Sequence, residues 1–267
     1  AKGLVVVTTE VMMAFMLGIA VVGLASGWVM GTSAAGWGAL SVPLLILLGV
    51  EPLVAISSSL LASILLSLLG GMSHWRYDPS RVAGLPALLL GGVGGAFVGS
   101  LVSPTLPGPI LKLLIGLTTL IMGLLTLIRQ NGIRPEDPTH LKVVKWQERR
   151  PAIFGIGAVA GASAGAFGTG WGPIGVTMLI WAGIPPHTVI GSSLMCRTLV
   201  AGTASISYLL WSDLFRWEIL LPLLLAGAGG VLLGVRTSNG LSPRRLRKFL
   251  GGVVSLLGAI TIAKYFV

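Results

Sequence analysis

"GTSAAGWGALSVPLLILLGVEPLVAISSSL" spans Gly31 to Leu60, and "GAFGTGWGPIGVTMLIWAGIPPHTVIGSSL" spans Gly165 to Leu194. The two stretches begin 134 residues apart (165 − 31) and follow one pattern. Gly36, Trp37 and Gly38 correspond to Gly170, Trp171 and Gly172. A short apolar run follows each, with Gly49 matching Gly183, Pro52 matching Pro186, and Ser58 and Ser59 matching Ser192 and Ser193. With a slip of one or two residues, Gly95 and Gly99 match Gly230 and Gly234, and Lys112 and Gly116 match Lys248 and Gly252. Repetition over a whole half-chain points to a pseudo-symmetric transporter.

Composition says which solvent surrounds these repeats. The chain is 54% hydrophobic and 10% charged, with a mean hydropathy of +0.93. A soluble domain cannot hide that much apolar surface. Apolar runs of about 20 residues recur, the length at which a helix crosses the hydrocarbon core. They lack the polar–apolar alternation of barrel strands. The fold class is therefore an all-α polytopic membrane protein. The first run reads as a membrane helix and not as a cleaved signal, since only Lys2 offers a positive leader. The single cysteine, Cys196, excludes an internal disulfide and a cysteine metal cluster. No metal-ligand spacing links His74, His140 and His187, no P-loop is present, and no paired carboxylates or serine–histidine pair point to an enzyme. The net charge of +10 sits mainly in two loops, so it is better explained by membrane orientation than by nucleic acid.

The organisation reads as repeat 1 (1–128), a basic cytoplasmic connector (129–150) and repeat 2 (151–267). In repeat 1, helices are expected at 11–31, 53–73, 82–102 and 109–128, with a break at 31–38 and a short run at 39–50. In repeat 2, they are expected at 152–167, 187–210, 219–235 and 249–266, with a break at 168–172 and a short run at 173–184. The connector carries six basic residues against three acidic ones, and loop 236–248 carries five basic residues and no acid. The counterpart of that second loop in repeat 1, "SPTLPG" (103–108), carries none. Equivalent loops of opposite charge bias belong on opposite sides of the membrane, so the repeats read as inverted. Inversion needs an odd number of crossings per repeat, which the short runs supply. The count is eight to ten membrane-embedded helices, including short broken ones.

Glycine weakens a helix by about 1 kcal/mol relative to alanine. In a membrane, a break survives only where it faces protein or a water-filled cavity. Two breaks at equivalent positions therefore point to a substrate site at Gly36, Trp37, Gly38, Gly170, Trp171 and Gly172. Helix N-termini there favour an anion. Gly91, Gly92, Gly94, Gly95, Gly227, Gly229 and Gly230 read instead as helix-packing positions. Arg197 lies in the middle of an apolar run, at a cost of about 3 kcal/mol on insertion scales. No acid shares its helix, so it reads as the charge of an anion site, against a structural arginine tied to backbone carbonyls or to a distant carboxylate, the nearest acids by sequence being Asp213 and Glu218. Ser192 and Ser193 precede it by about one turn, and Ser58, Ser59 and Ser63 are the repeat-1 equivalents of Ser192, Ser193 and Arg197. Cys196 reads as a packing residue, with thiol chemistry left open. Trp75, Trp211 and Trp217 read as interfacial anchors. Glu51 and His187 are candidates for proton coupling.

The opening "GLASGWVMGTSAAGWGALSVPLLILLGV" (23–50), its repeat "GAVAGASAGAFGTGWGPIGVTMLIWAGI" (157–184) and the following "GSSL" (191–194) resemble the sulfite exporter TauE/SafE family. That family is also called the 4-toluene sulfonate uptake permease family, and the resemblance covers essentially the whole chain. It implies a carrier in the bacterial cytoplasmic membrane for small sulfur-containing anions: sulfite, sulfoacetate and related sulfonates. It implies no cofactor, and it leaves a homo-oligomer open. An anion channel, or a carrier of a non-sulfur organic anion, stands as the alternative. The family is usually assigned about eight spans, against the ten counted here.

Overall fold

The computed structural model describes residues 2–34, 36–77, 85–128, 150–181, 186–210, 214–238 and 243–266. Most of the connector (129–149), with His140, lies outside them. So does the loop residue Trp211.

The described residues are helical. The first half forms α1 (Lys2–Ser33), α2 (Trp37–Leu47), α3 (Pro52–Tyr77), α4 (Leu85–Val102) and α5 (Gly108–Ile128), with a 3-10 turn at Ser103–Thr105. The second half forms α6 (Arg150–Phe167), a π-helical turn (Trp171–Val176) running into α7 (Thr177–Trp181), then α8 (Pro186–Leu209), α9 (Trp217–Thr237) and α10 (Pro243–Phe266). The expected breaks narrow. α1 continues to Ser33, so the first break is 34–36, and the second is 168–170. α10 also begins earlier than expected, taking the basic residues before Phe249 into its first turns. Charge blocks read as loops, but solvated helix ends carry them equally well.

Six helices are long and apolar enough to cross a membrane: Glu10–Ser33, Pro52–His74, Leu85–Thr105, Gly108–Leu127, Trp217–Thr237 and Lys248–Phe266. α6 and α8, expected as crossings, are not among them. Glycines and Arg150 dilute α6, and the first turn of α8 lies outside the side chains described. Both pack against other helices, α6 on α4 and α8 on α3 and α4. Large apolar side chains such as Leu17, Val21, Leu90, Phe97, Leu225 and Leu256 are exposed around the molecule. In water that surface would drive association; in a bilayer it faces its natural solvent.

The halves are interlocked. α1 packs on α9 and α4 on α6, each pair joining one helix from each half. Glycine makes both contacts close. Gly23, Gly27 and Gly31 of α1 face the carbonyls of Leu223, Gly227 and Val231. The positions 134 further on, Gly157, Gly161 and Gly165 of α6, face the carbonyls of Leu88, Gly92 and Ala96. Contacts return in the same register: Gly230 and Gly234 meet Leu24 and Trp28, while Gly95 and Gly99 meet Ala158 and Ala162. Both pairs run parallel, since residue numbers rise together along each. α3 runs antiparallel to α8, and α5 to α10. On α3 and α8, Gly70 meets Leu194 and Gly191 meets His74; on α5 and α10, Gly116 meets Ile262 and Gly251 meets Leu127.

The expected packing role of Gly91, Gly92, Gly95, Gly227 and Gly230 matches these contacts. Gly94 differs, because nothing lies within 4 Å of where its Cβ would stand. This separates two classes of substitution. Gly27→Ala and Gly161→Ala press a methyl into a backbone carbonyl and should each lower stability by about 1–3 kcal/mol. Gly94→Ala and Gly155→Ala, which have open space, should leave it unchanged or raise it by up to about 1 kcal/mol. Thermal melts in detergent distinguish the two classes.

Candidate functional site

The breaks are built by backbone that only a few residues tolerate. Gly36 and Gly170, each immediately before its short helix, have φ of 111° and 100°. An L side chain rarely adopts that region, so a Cβ there would strain the turn. α2 then starts at Trp37 with no side-chain cap on its first N–H groups. Its counterpart starts as a π turn, also uncapped. The difference coincides with Pro173, which lacks an N–H, where the first half has Ala39.

The fold brings the two breaks together. Gly38 packs directly against the carbonyl of Gly168 and the Cα of Thr169. Gly168 in turn lies against Val42 and Ile56. Residues 130 positions apart (168 − 38) thus share one buried place.

The tryptophans hold the breaks to the long helices. Trp37, wholly buried, donates its indole N–H to the carbonyl of Ser59 at 3.0 Å. Trp171 donates to the carbonyl of Ser193 at 3.0 Å and meets its hydroxyl at 3.1 Å. The separation is 22 residues in both halves. Each ring is received by a glycine of the opposite half: Trp37 by Gly227 and Trp171 by Gly92. Both indole N–H groups are therefore already occupied by protein acceptors.

A second matched pair escaped the sequence reading. His74 Nε2 lies 2.9 Å from the carbonyl of Gly31, and the Tyr208 hydroxyl donates to the carbonyl of Gly165 at 2.8 Å. Both links span 43 residues. The 134-residue offset places His74 opposite Tyr208, so the signal was present (208 − 74), but a histidine and a tyrosine do not align by residue type.

The remaining site residues divide by what they touch. Ser59 shares a 2.7 Å hydrogen bond with Ser41. Ser193 accepts from Trp171, and Ser192 is buried beside it on α8. Ser58 is wholly buried and its hydroxyl has no partner among the described residues. The Thr169 and Ser163 hydroxyls are also buried without a partner, and Ser163 abuts Gly170. Cys196 is a free, buried thiol. Arg197 is only 4% exposed, its Nε is unpaired, and no ion pair or hydrogen bond reaches its guanidinium among the described residues. It lies one turn beyond Ser193, whose carbonyl receives Trp171. The structural alternative, an arginine tied to carbonyls, has no such bond among the described residues. Glu51 is exposed at the α2–α3 turn, Trp217 is exposed at the start of α9, and the side chains of His187 and Trp75 are not among those described.

Comparison with known proteins matches the sulfite exporter TauE/SafE family over residues 19–261. A probable membrane transporter protein, YtnM of Bacillus subtilis, is 27% identical over 91% of this chain and 81% of its own length. A second from that organism, YjnA, is 24% identical over 90% of this chain and 97% of its own. A probable membrane transporter protein of Xylella fastidiosa is 29% identical over 85% of this chain and 87% of its own. No solved structure matches.

Because both indole N–H groups bond to backbone, Trp37→Phe and Trp171→Phe should each lower stability by about 1 kcal/mol. Their effect on which anion binds should be small. Melts paired with an anion-binding series on each variant check both halves of that statement.

Proposed function

The chain belongs to the sulfite exporter TauE/SafE family of multi-pass membrane transporters, and we propose that it is a secondary carrier of small sulfur-containing anions such as sulfite, sulfoacetate or related sulfonates. The observation that carries this reading is the buried, unpaired guanidinium of Arg197. An intramembrane cation with no carboxylate partner is costly, and an anionic substrate is what would compensate it.

The binding place would lie where the two breaks meet. The backbone around Gly36–Gly38 and Gly170–Gly172 would offer N–H groups at helix starts, which suit an oxyanion. Ser58, Thr169 and Ser163 add buried hydroxyls that lack a protein partner. Ser59 and Ser193 would position this lining through their bonds to Ser41 and Trp171. Ser192 and Cys196 complete the wall on α8.

The two halves would be inverted repeats that rock against each other to expose the site alternately. Support comes from the equivalent contacts at the 134-residue offset and from the antiparallel course of α3 against α8 and α5 against α10. Helices related by a two-fold axis lying in the membrane plane run in opposite directions, as these do. With four crossings per half, α5 and α10 would run the same way. The antiparallel course therefore favours counting the short helices as the fifth segment.

Binding of sulfite, thiosulfate, sulfoacetate and sulfate to purified protein, by calorimetry or thermal shift, tests the reading. Selective stabilisation by one sulfur oxyanion, abolished by Arg197→Ala, is expected; no response to any of them would remove the sulfur substrate. Ser58→Ala should leave the stability within about 0.5 kcal/mol of the parent, since no bond is lost, yet weaken anion binding. Ser59→Ala should cost about 1 kcal/mol in stability by breaking the bond to Ser41.

A further inference from the structure

The charge at the centre of the bundle is one-sided. Arg197 in the second half corresponds to the neutral Ser63 in the first, whose hydroxyl donates to the Leu60 carbonyl at 2.8 Å. Among the other described groups that can carry charge near neutral pH, Glu10, Glu51, Glu218, Arg150, Arg216, Arg236, Arg245, Lys248 and Lys264 are exposed, Lys112 is half-buried near the start of α5, and the half-buried His74 is held to the Gly31 carbonyl near the end of α3. The unpartnered groups Ser58, Ser163 and Thr169 are hydroxyls and add no charge. Within the described core, Arg197 is a single positive charge without a counter-ion.

A carrier that alternates access must pass through a state closed to both sides. With a monovalent anion on Arg197, that closed site is neutral. With no anion, it encloses an uncompensated cation, the situation that makes broken buried ion pairs so unfavourable. With a dianion, it encloses a net negative charge. We propose that the protein is an obligatory exchanger that prefers monovalent anions: the site recrosses the membrane only with an anion on Arg197, so one anion leaves as another enters, and among the anions named above hydrogensulfite and simple sulfonates are favoured over sulfoacetate, a dianion at neutral pH. This rests on Arg197 belonging to the transport site, as proposed above.

The test uses wild-type protein in liposomes loaded with radiolabelled methanesulfonate, a monovalent sulfonate, with the membrane potential clamped at zero. Release is followed into buffer containing unlabelled methanesulfonate, sulfate or only the impermeant gluconate. Release into methanesulfonate should exceed release into gluconate by about ten-fold or more, because an empty site closes with its cation unpaired. Equal rates in those two buffers would overturn the exchange mechanism. Sulfate driving release as fast as methanesulfonate would overturn the preference for a single charge. Protein-independent release only, seen also with sulfite and sulfoacetate as the labelled anion, would instead overturn the carrier reading itself. A folded Arg197→Gln variant, which lacks the anion's charge partner, should release label only at the protein-free rate into either buffer, and exchange persisting in it would overturn the role given to Arg197. If that variant does not fold, the wild-type comparison decides alone.

Discussion

Hydrocarbon offers no partner to an unpaired backbone group, and this constraint shapes the molecule. A chain that breaks two of its helices inside such a solvent must bury both breaks against protein. Here each break is placed against the other, with Gly38 on Gly168, and each is pinned by a tryptophan to the next long helix. The interlocked pairs α1–α9 and α4–α6 follow from the same need. They rely on close glycine packing, because apolar burial alone does not drive helix association in lipid.

The pattern of contacts explains why glycine is so abundant. At Gly23, Gly27 and Gly31, and again at Gly157, Gly161 and Gly165, a neighbouring carbonyl occupies the space of a Cβ. At Gly92 and Gly227, an indole from the other half occupies it. At Gly36 and Gly170, the backbone conformation itself excludes most side chains. Three different physical demands thus write the same residue, and sequence alone cannot sort them.

Much of the fold was nevertheless legible. Hydropathy located the long helices, and the 134-residue repeat located both breaks and the corresponding serine pairs. Boundaries were less legible: α10 starts in a basic stretch, and α1 runs on through Thr32 and Ser33, because polar residues at helix ends resemble loops. Partner choice was not legible at all. Nothing in the residues around Trp37 says that its ring enters a groove at Gly227 or that its N–H reaches Ser59, since these contacts depend on how distant helices cross. Within the candidate site, Arg197 stood out because charge is rare in an apolar run. The difference between Ser58 and Ser59, one without a partner and one bonded to Ser41, appears only once α2 is seen folded back along α3.

In the proposed mechanism the meeting place of the two breaks, with Arg197, would hold the oxyanion. The most direct measurement is an anomalous-scattering map of crystals soaked in selenite, the selenium analogue of sulfite. One selenium peak is expected within hydrogen-bonding distance of the Arg197 guanidinium and beside the Gly36–Gly38 and Gly170–Gly172 backbone. Peaks confined to the basic start of α10, with none at Arg197, would contradict that mechanism.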